Sequence, residues 1–169
     1  MDEKSLFILA KAGDLTAMDE LLQWVKNYSF KIAFYVLFMK DEAEEIAQEC
    51  TWRFYKSFER LNPRGSLRGW VRKVSVNLSV DYVRREKKKV PLEENIVREN
   101  VNNEKVSLVG KCLGKLPPMQ RTVITLFYIE GIHLKEISEL LGIAPGTVKT
   151  HLFRGRNKLR DCLKEGGLL

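Results

Sequence analysis

The stretch that most constrains this chain is LKEISELLGIAPGTVKTHLFRGRNKLR, residues 134–160. Leu134, Ile137, Leu140 and Leu141 recur at helical spacing. Gly142 stops that helix, because glycine takes up a left-handed turn without a Cβ penalty. Pro145 then opens a second helix at a position where its missing N–H is not needed. Two helices joined by a short glycine-containing turn make a helix-turn-helix. The second helix has two faces. Val148, Leu152, Leu159 and Leu163 form an apolar stripe that seats it on its domain. Thr147, Thr150, His151, Arg154 and Lys158 share another face, with Lys149 beside them, and these side chains suit phosphates and base edges. From 149 to 165, Lys149, Arg154, Arg156, Lys158, Arg160 and Lys164 stand against Asp161 and Glu165. A solvated basic face would explain that charge by itself; the glycine turn and the paired helix favour DNA recognition.

With 169 residues, the chain is long enough for one ordinary domain or two small helical ones. Its net charge of +7 favours a polyanionic partner, since each neutralised phosphate releases a counterion. Cys50, Cys112 and Cys162 lie far apart, are odd in number and show no metal-ligand spacing. They read as reduced thiols of a cytoplasmic protein, with a disulfide disfavoured. The N-terminus lacks the basic region and long apolar run of a signal peptide. Residues 35–39 are apolar but far too few to insert into a membrane.

Taken in order, residues 2–12 predict a short helix ended by Gly13. Residues 15–39 predict a long helix, with Tyr28-Ser29-Phe30 as a place for a bend or break. Asp41 and Glu44 form a capping-box pattern at the start of the next helix. Ile46, Ala47, Cys50, Phe54 and Phe58 point inward along it. Asp41, Glu44, Glu45, Gln48 and Glu49 gather near its start, either as a solvated, dipole-favoured helix end or as a docking face for a basic partner. Asn62-Pro63-Arg64-Gly65 is a turn, and Ser66 caps a helix that continues to Lys88. On that helix Val71, Val74, Leu78 and Tyr82 form the expected apolar face, and Lys73, Asn77, Asp81, Arg84 and Lys88 the polar one. The basic run from Arg84 and Arg85 to Lys89 is richer than a helix C-terminus needs, which suits a second phosphate-tracking surface.

Residues 91–104 lose the apolar period and turn acidic and asparagine-rich, as a flexible linker would. A short helix, the Leu116-Pro117-Pro118 turn, a helix over 119–130 and the helix-turn-helix follow. The expectation is an all-α chain of two small helical domains, residues 1–89 and 105–169, joined by a linker at 90–104. No catalytic constellation, metal-ligand set or nucleotide-binding glycine loop is present, so neither an enzyme nor a cofactor is expected. His133 falls at a helix N-cap, where capping is its expected role.

The segment LPPMQRTVITLFYIEGIHLKEISELLGIAPGTVKTHLFRGRNKLR resembles region four of bacterial RNA polymerase sigma factors of the extracytoplasmic-function (ECF) group. DEAEEIAQECTWRFYKSFERL followed by SLRGWVRKVSVNLSVDYVRRE resembles region two, with Trp70, Asn77, Asp81 and Arg84 at matching positions. The resemblance implies an alternative sigma factor that binds core RNA polymerase and directs promoter recognition and melting. It implies that Asp41, Glu44, Glu45, Gln48 and Glu49 face the β′ clamp helices, and that the second domain meets the β flap. Asn62 and Arg64 would help capture a flipped base of the minus-ten element, with Lys73, Asn77, Arg84 and Arg85 along the adjoining DNA. Thr147, Lys149, Thr150, His151, Arg154 and Lys158 would contact the minus-thirty-five element. The acidic linker would run through the RNA exit region, and an anti-sigma factor is the usual regulator of such chains. Ala144 stands where serine is common, which removes a helix cap worth about 1 kcal/mol. His151 replaces a frequent arginine, and His133 a serine or threonine. Two other readings are a stand-alone helix-turn-helix regulator and a sigma-like adaptor that opens no promoter.

Overall fold

The computed structural model describes residues 2–62, 65–89 and 107–169. Arg64 and the expected linker at 90–104 lie outside the described residues. Among the described residues, eight α-helices follow one another: α1 (Glu3–Lys11), α2 (Leu15–Leu37), α3 (Lys40–Ser57), α4 (Leu67–Lys89), α5 (Leu108–Gly114), α6 (Pro118–Ile124), α7 (Leu134–Leu141) and α8 (Pro145–Glu165). A 3-10 turn, Phe58–Arg60, extends α3, and a π-helical turn, Thr125–Ile129, extends α6. No strand occurs among the described residues, in keeping with the all-α expectation. The chain divides into two compact units, Met1–Phe34 with Lys40–Ser79 and Tyr35–Met39 with Val80–Leu169.

Local chemistry sets the helix ends of the first unit. Asp2 Oδ1 accepts from the Ser5 N–H at 2.7 Å, and that bond holds the Asp2 carboxyl below its ordinary value of 3.8. Gly13, at φ +94°, closes α1, and Asp14 caps α2 through the Ala17 N–H at 3.0 Å. Ser66 Oγ accepts from the Gly69 N–H at 3.0 Å, as expected of the α4 cap. Two expectations need correction. α2 runs unbroken through Tyr28-Ser29-Phe30, because Ser29 is buried with its hydroxyl 2.7 Å from that of Ser75, within hydrogen-bond distance. α3 begins at Lys40, one residue before the expected cap Asp41, and Glu44 lies 3.8 Å from Lys40 along the helix surface.

Phe54 is the centre of this unit's core and is fully buried. Its ring meets Phe58 at 5.8 Å and Trp70 at 5.7 Å, both edge-on, and Phe7 at 6.3 Å. Edge-on contact is the arrangement that the ring quadrupole favours. Leu21, Val25 and Ile32 of α2 and Ile46, Ala47 and Cys50 of α3 complete the core. Burial pushes the Cys50 thiol up. On α4 the buried face is turned away from the expected one. Val71, Ser75, Val76, Ser79 and Val80 are buried, while Val74, Leu78 and Tyr82 are only half-buried. Two serines can line a core because their hydroxyls bond back along the helix, Ser75 to the Val71 carbonyl at 2.7 Å and Ser79 to the Ser75 carbonyl at 2.8 Å.

In the second unit, Leu113, Leu116, Val123, Ile124, Leu126, Ile137, Leu141 and Val148 are buried. Arg121 is buried with them at 5% exposure. Its guanidinium donates to the carbonyls of Val36 (2.7 and 2.9 Å), Leu37 (3.0 Å), Gly114 (3.1 Å) and Leu116 (3.3 Å), all within this unit. Burial lowers its pKa to about 10, so it stays charged at neutral pH. The cation thus satisfies carbonyls that a helix C-terminus leaves open.

α8 packs along α5 and α6. At Gly155 an added Cβ would come within 3.0 Å of Ile124 Cγ1, and at Gly166 within 2.5 Å of the Leu108 side chain. Leu108 and Cys112 are four residues apart on α5, and their partners Gly166 and Cys162 are four apart in the reverse order, which is an antiparallel register. Cys112 and Cys162 are joined by a disulfide, with Cα atoms 5.8 Å apart. This overturns the expectation of reduced, unlinked thiols. The two residues are 50 positions apart in sequence, so only the pairing of α5 with α8 brings them together.

Candidate nucleic-acid interface

The helix-turn-helix forms where the glycine and proline signals put it. Gly142 turns at φ +63°, the Ser138 hydroxyl donates to the Ile143 carbonyl at 2.6 Å, and Pro145 starts α8. Ile137 and Leu141 of α7 and Val148 of α8 are buried. Buried Gly155 lies between the half-buried Leu152 and Leu159 and lets α8 approach α6 closely. With that face fixed, Thr147, Lys149, Thr150, Arg154 and Lys158 project from α8 as exposed residues, and His151 is half-buried. The Thr150 hydroxyl donates to the Gly146 carbonyl at 2.9 Å, so toward a ligand its oxygen is an acceptor. Neither Ala144 nor His133 supplies a side-chain hydrogen bond as N-cap, so the capping role expected of His133 is not met.

The second candidate surface lies on α4 and the loop before it. Lys73, Asn77, Arg84 and Arg85 are exposed, and Arg84 Nη1 is 3.8 Å from Asp81 Oδ1. In the first unit a cavity of about 120 Å³ is lined by Phe7, Leu61, Asn62, Gly65, Ser66, Leu67 and Trp70. Asn62 belongs to the loop expected to help capture a flipped base; Phe7 was not expected beside it. No signal in α1 reveals that its buried ring reaches this wall, because only the packing of α1 on the loop does so.

On α3, Asp41, Glu44, Glu45 and Gln48 are exposed. Glu49 is half-buried and accepts from Arg53 Nε at 2.7 Å, one turn away. The same face continues into Trp52 and Tyr55, 52% and 55% exposed, with nearly parallel rings 6.2 Å apart. Lys56 Nζ sits 4.8 Å over the Trp52 ring. Their offset from the inward set Ile46, Cys50, Phe54 and Phe58 marks them as outward, a signal the sequence carries.

Among the described residues no group of His, Cys, Asp and Glu could hold a metal ion, and no helix is long and apolar enough to cross a membrane.

Comparison with known proteins bears on the same surfaces. The family model for sigma-70 region 2 matches residues 17–89, and the one described as sigma-70, region 4 matches residues 107–159. The chain is 32% identical to the ECF RNA polymerase sigma factor SigW of Bacillus subtilis, over 92% of its own length and 93% of that protein. It is 32% identical to the ECF RNA polymerase sigma factor SigE of Mycolicibacterium smegmatis, over 89% of its length and 64% of that protein. In fold it resembles the sigma factor RpoE of Bartonella quintana, solved with the anti-sigma factor NepR, at a TM-score of 0.65 and 20% identity, covering 89% of this chain and 98% of that one. CnrH, solved with the cytosolic domain of CnrY, is similar at a TM-score of 0.60 and 20% identity, covering 96% and 97%. The helix-turn-helix and the α3–α4 unit are therefore regions 4 and 2 of one factor, and the chain belongs to the ECF sigma factors, the alternative sigma subunits that direct RNA polymerase to its promoters.

Proposed function

We propose that this factor divides its work among three surfaces. The face of α3 made by Asp41, Glu44, Glu45, Gln48 and Glu49 docks on the β′ clamp helices of core polymerase, and Trp52 and Tyr55 extend it with apolar area. The cavity beside Asn62, walled by Phe7 and Trp70, takes the base unstacked from the minus-ten element. Taking a base out of the stack costs a few kcal/mol. Aromatic and apolar walls return stacking energy, and Lys73, Asn77, Arg84 and Arg85 hold the adjoining backbone. Arg64 belongs to the same loop by sequence. The exposed face of α8, with Thr147, Lys149, Thr150, His151, Arg154 and Lys158, enters the major groove of the minus-thirty-five element.

The domains divide near residues 89 and 105, with the acidic stretch between them as a tether that sets the spacing of the two elements. The chain acts in the cytoplasm as a specificity subunit rather than a catalyst, without a cofactor. The β flap is the further docking point for the second domain, and an anti-sigma factor is the expected regulator, as RpoE has a partner of that kind.

The observation that carries this reading is the α8 face: five exposed polar or basic residues on a helix whose other side is fixed by Val148 and Gly155. Lys149→Ala and Arg154→Ala are each expected to lower initiation at cognate promoters about ten-fold and to reduce the salt dependence of promoter binding. Core polymerase binding should be unchanged. Loss of polymerase binding in either variant, or wild-type initiation in both, would refute the assignment.

A further inference from the structure

We propose that Cys112 and Cys162 form a reversible thiol–disulfide couple that sets how firmly the recognition helix α8 is held, and with it the strength of minus-thirty-five binding. The inference rests on the assignment of the α8 face to DNA.

Four observations lead to it. First, α5 is a seven-residue helix, too short to persist without its packing. Its register against α8 is held at two steps, Leu108 on Gly166 and Cys112 bonded to Cys162. Second, the bond closes a loop over the 50-residue separation that contains α6, α7 and nearly all of α8. Cross-linking such a span removes many unfolded conformations of the helix-turn-helix. Third, a factor that works beside polymerase and DNA meets a thiol-reducing medium, where persistent structural disulfides are rare and transient, sensing ones are the usual kind. Fourth, the two cysteines differ in exposure. Cys112 is 1% exposed, whereas Cys162 is half-buried, on the last turns of α8.

That asymmetry gives the reaction its direction. A thiolate of a dithiol reductant attacks Cys162 Sγ, the S–S bond breaks, and Cys112 leaves as a thiolate. The second thiol of the reductant then displaces Cys162 from the mixed disulfide. Two electrons and two protons pass to the protein thiols, and the reductant becomes a cyclic disulfide. The oxidised form holds the C-terminal half of α8, where Lys158 and Arg160 lie, against α5. In the reduced form, Val148 and Gly155 still seat the N-terminal half, while the C-terminal turns lose their covalent anchor. Cys50 takes no part, since it is fully buried in the other unit, with Ser75 Oγ 3.6 Å from its sulfur.

The test equilibrates the full-length chain in buffers of stepped oxidised-to-reduced dithiothreitol ratio, removes the reagent, alkylates free thiols and weighs the intact protein. The expected result is one two-electron transition at Cys112 and Cys162, with the oxidised form melting at least about 10 °C higher. Hydrogen exchange over residues 156–165 should be slower in the oxidised form. Open-complex formation with core polymerase should be at least three-fold stronger for the oxidised factor. Cys162→Ser should match the reduced wild type at every ratio, and Cys112→Ser should agree with it; Cys50→Ser should behave as wild type. Failure to form the disulfide at any ratio, or equal melting and exchange in the two states, would overturn the proposal. So would equal open-complex formation by the two states. Initiation absent from both states, with the couple and the melting shift intact, would instead overturn the DNA assignment on which it rests.

Discussion

In the first unit the interior is filled by the rings of Phe7, Phe54, Phe58 and Trp70 packed against aliphatic side chains of α2, α3 and α4. In the second, α8 and its C-cap come close to their neighbours at Gly155 and Gly166, a buried guanidinium gathers carbonyls from four residues, and a disulfide joins two helices. Ring packing is an area effect, spread over many weak contacts. Close backbone approach and a buried cation depend on particular atoms. The first unit should therefore yield mainly to large deletions, and the second to single-atom changes.

The largest effect is expected of Phe54→Ala, which empties the centre of the aromatic cluster. Stability should fall by about 3–5 kcal/mol, read from the denaturant midpoint, with hydrogen-exchange protection lost first in α3. Next comes Arg121→Met, which keeps the volume and removes the donors. The carbonyls of Val36, Leu37, Gly114 and Leu116 lose their partner, at a cost of about 2–4 kcal/mol. A loss under about 0.5 kcal/mol would break the comparison, because the cation would then be replaceable by bulk.

A sharper version compares two glycines of α8. Gly155→Ala puts a methyl group 3.0 Å from Ile124 and should cost about 1–3 kcal/mol. Gly146→Ala has nothing within 4 Å and should be neutral or slightly stabilising. Equal effects at the two positions would mean that helix propensity, not close approach, governs α8. The smallest effect concerns pH. The Asp2 carboxylate has a depressed pKa, so its capping contribution is present above its ordinary value of 3.8 and is lost as pH falls through the lower folded value. Amide exchange at Ser5 should quicken across that window, relative to its rate in Asp2→Ala.

Helix ends were the most legible feature of the sequence. Gly13, Ser66, Gly142 and Pro145 act through local backbone chemistry, and each stands at the boundary it predicted. The exposed face of α8 was legible too, because one apolar stripe leaves one polar face. Features that depend on a distant partner were not. The buried face of α4 is set by Ser29 and Cys50 on other helices, so counting only apolar residues chose Val74 and Leu78 over Ser75 and Ser79. The Cys112–Cys162 bond depends on the register of α5 against α8. Nothing local marks Arg121 for burial, because its carbonyl partners at Val36 and Leu37 are more than 80 positions away. Phe7 acquires a place in the wall of the cavity beside Asn62 only through the packing of α1.

The most direct test of the central claim is the binding of the purified chain to core RNA polymerase without DNA, followed by co-elution in gel filtration. The account predicts a stoichiometric complex that is weakened when Gln48→Ala and Glu49→Ala are combined and unaffected by Lys149→Ala. No complex from a preparation free of any anti-sigma factor would contradict it.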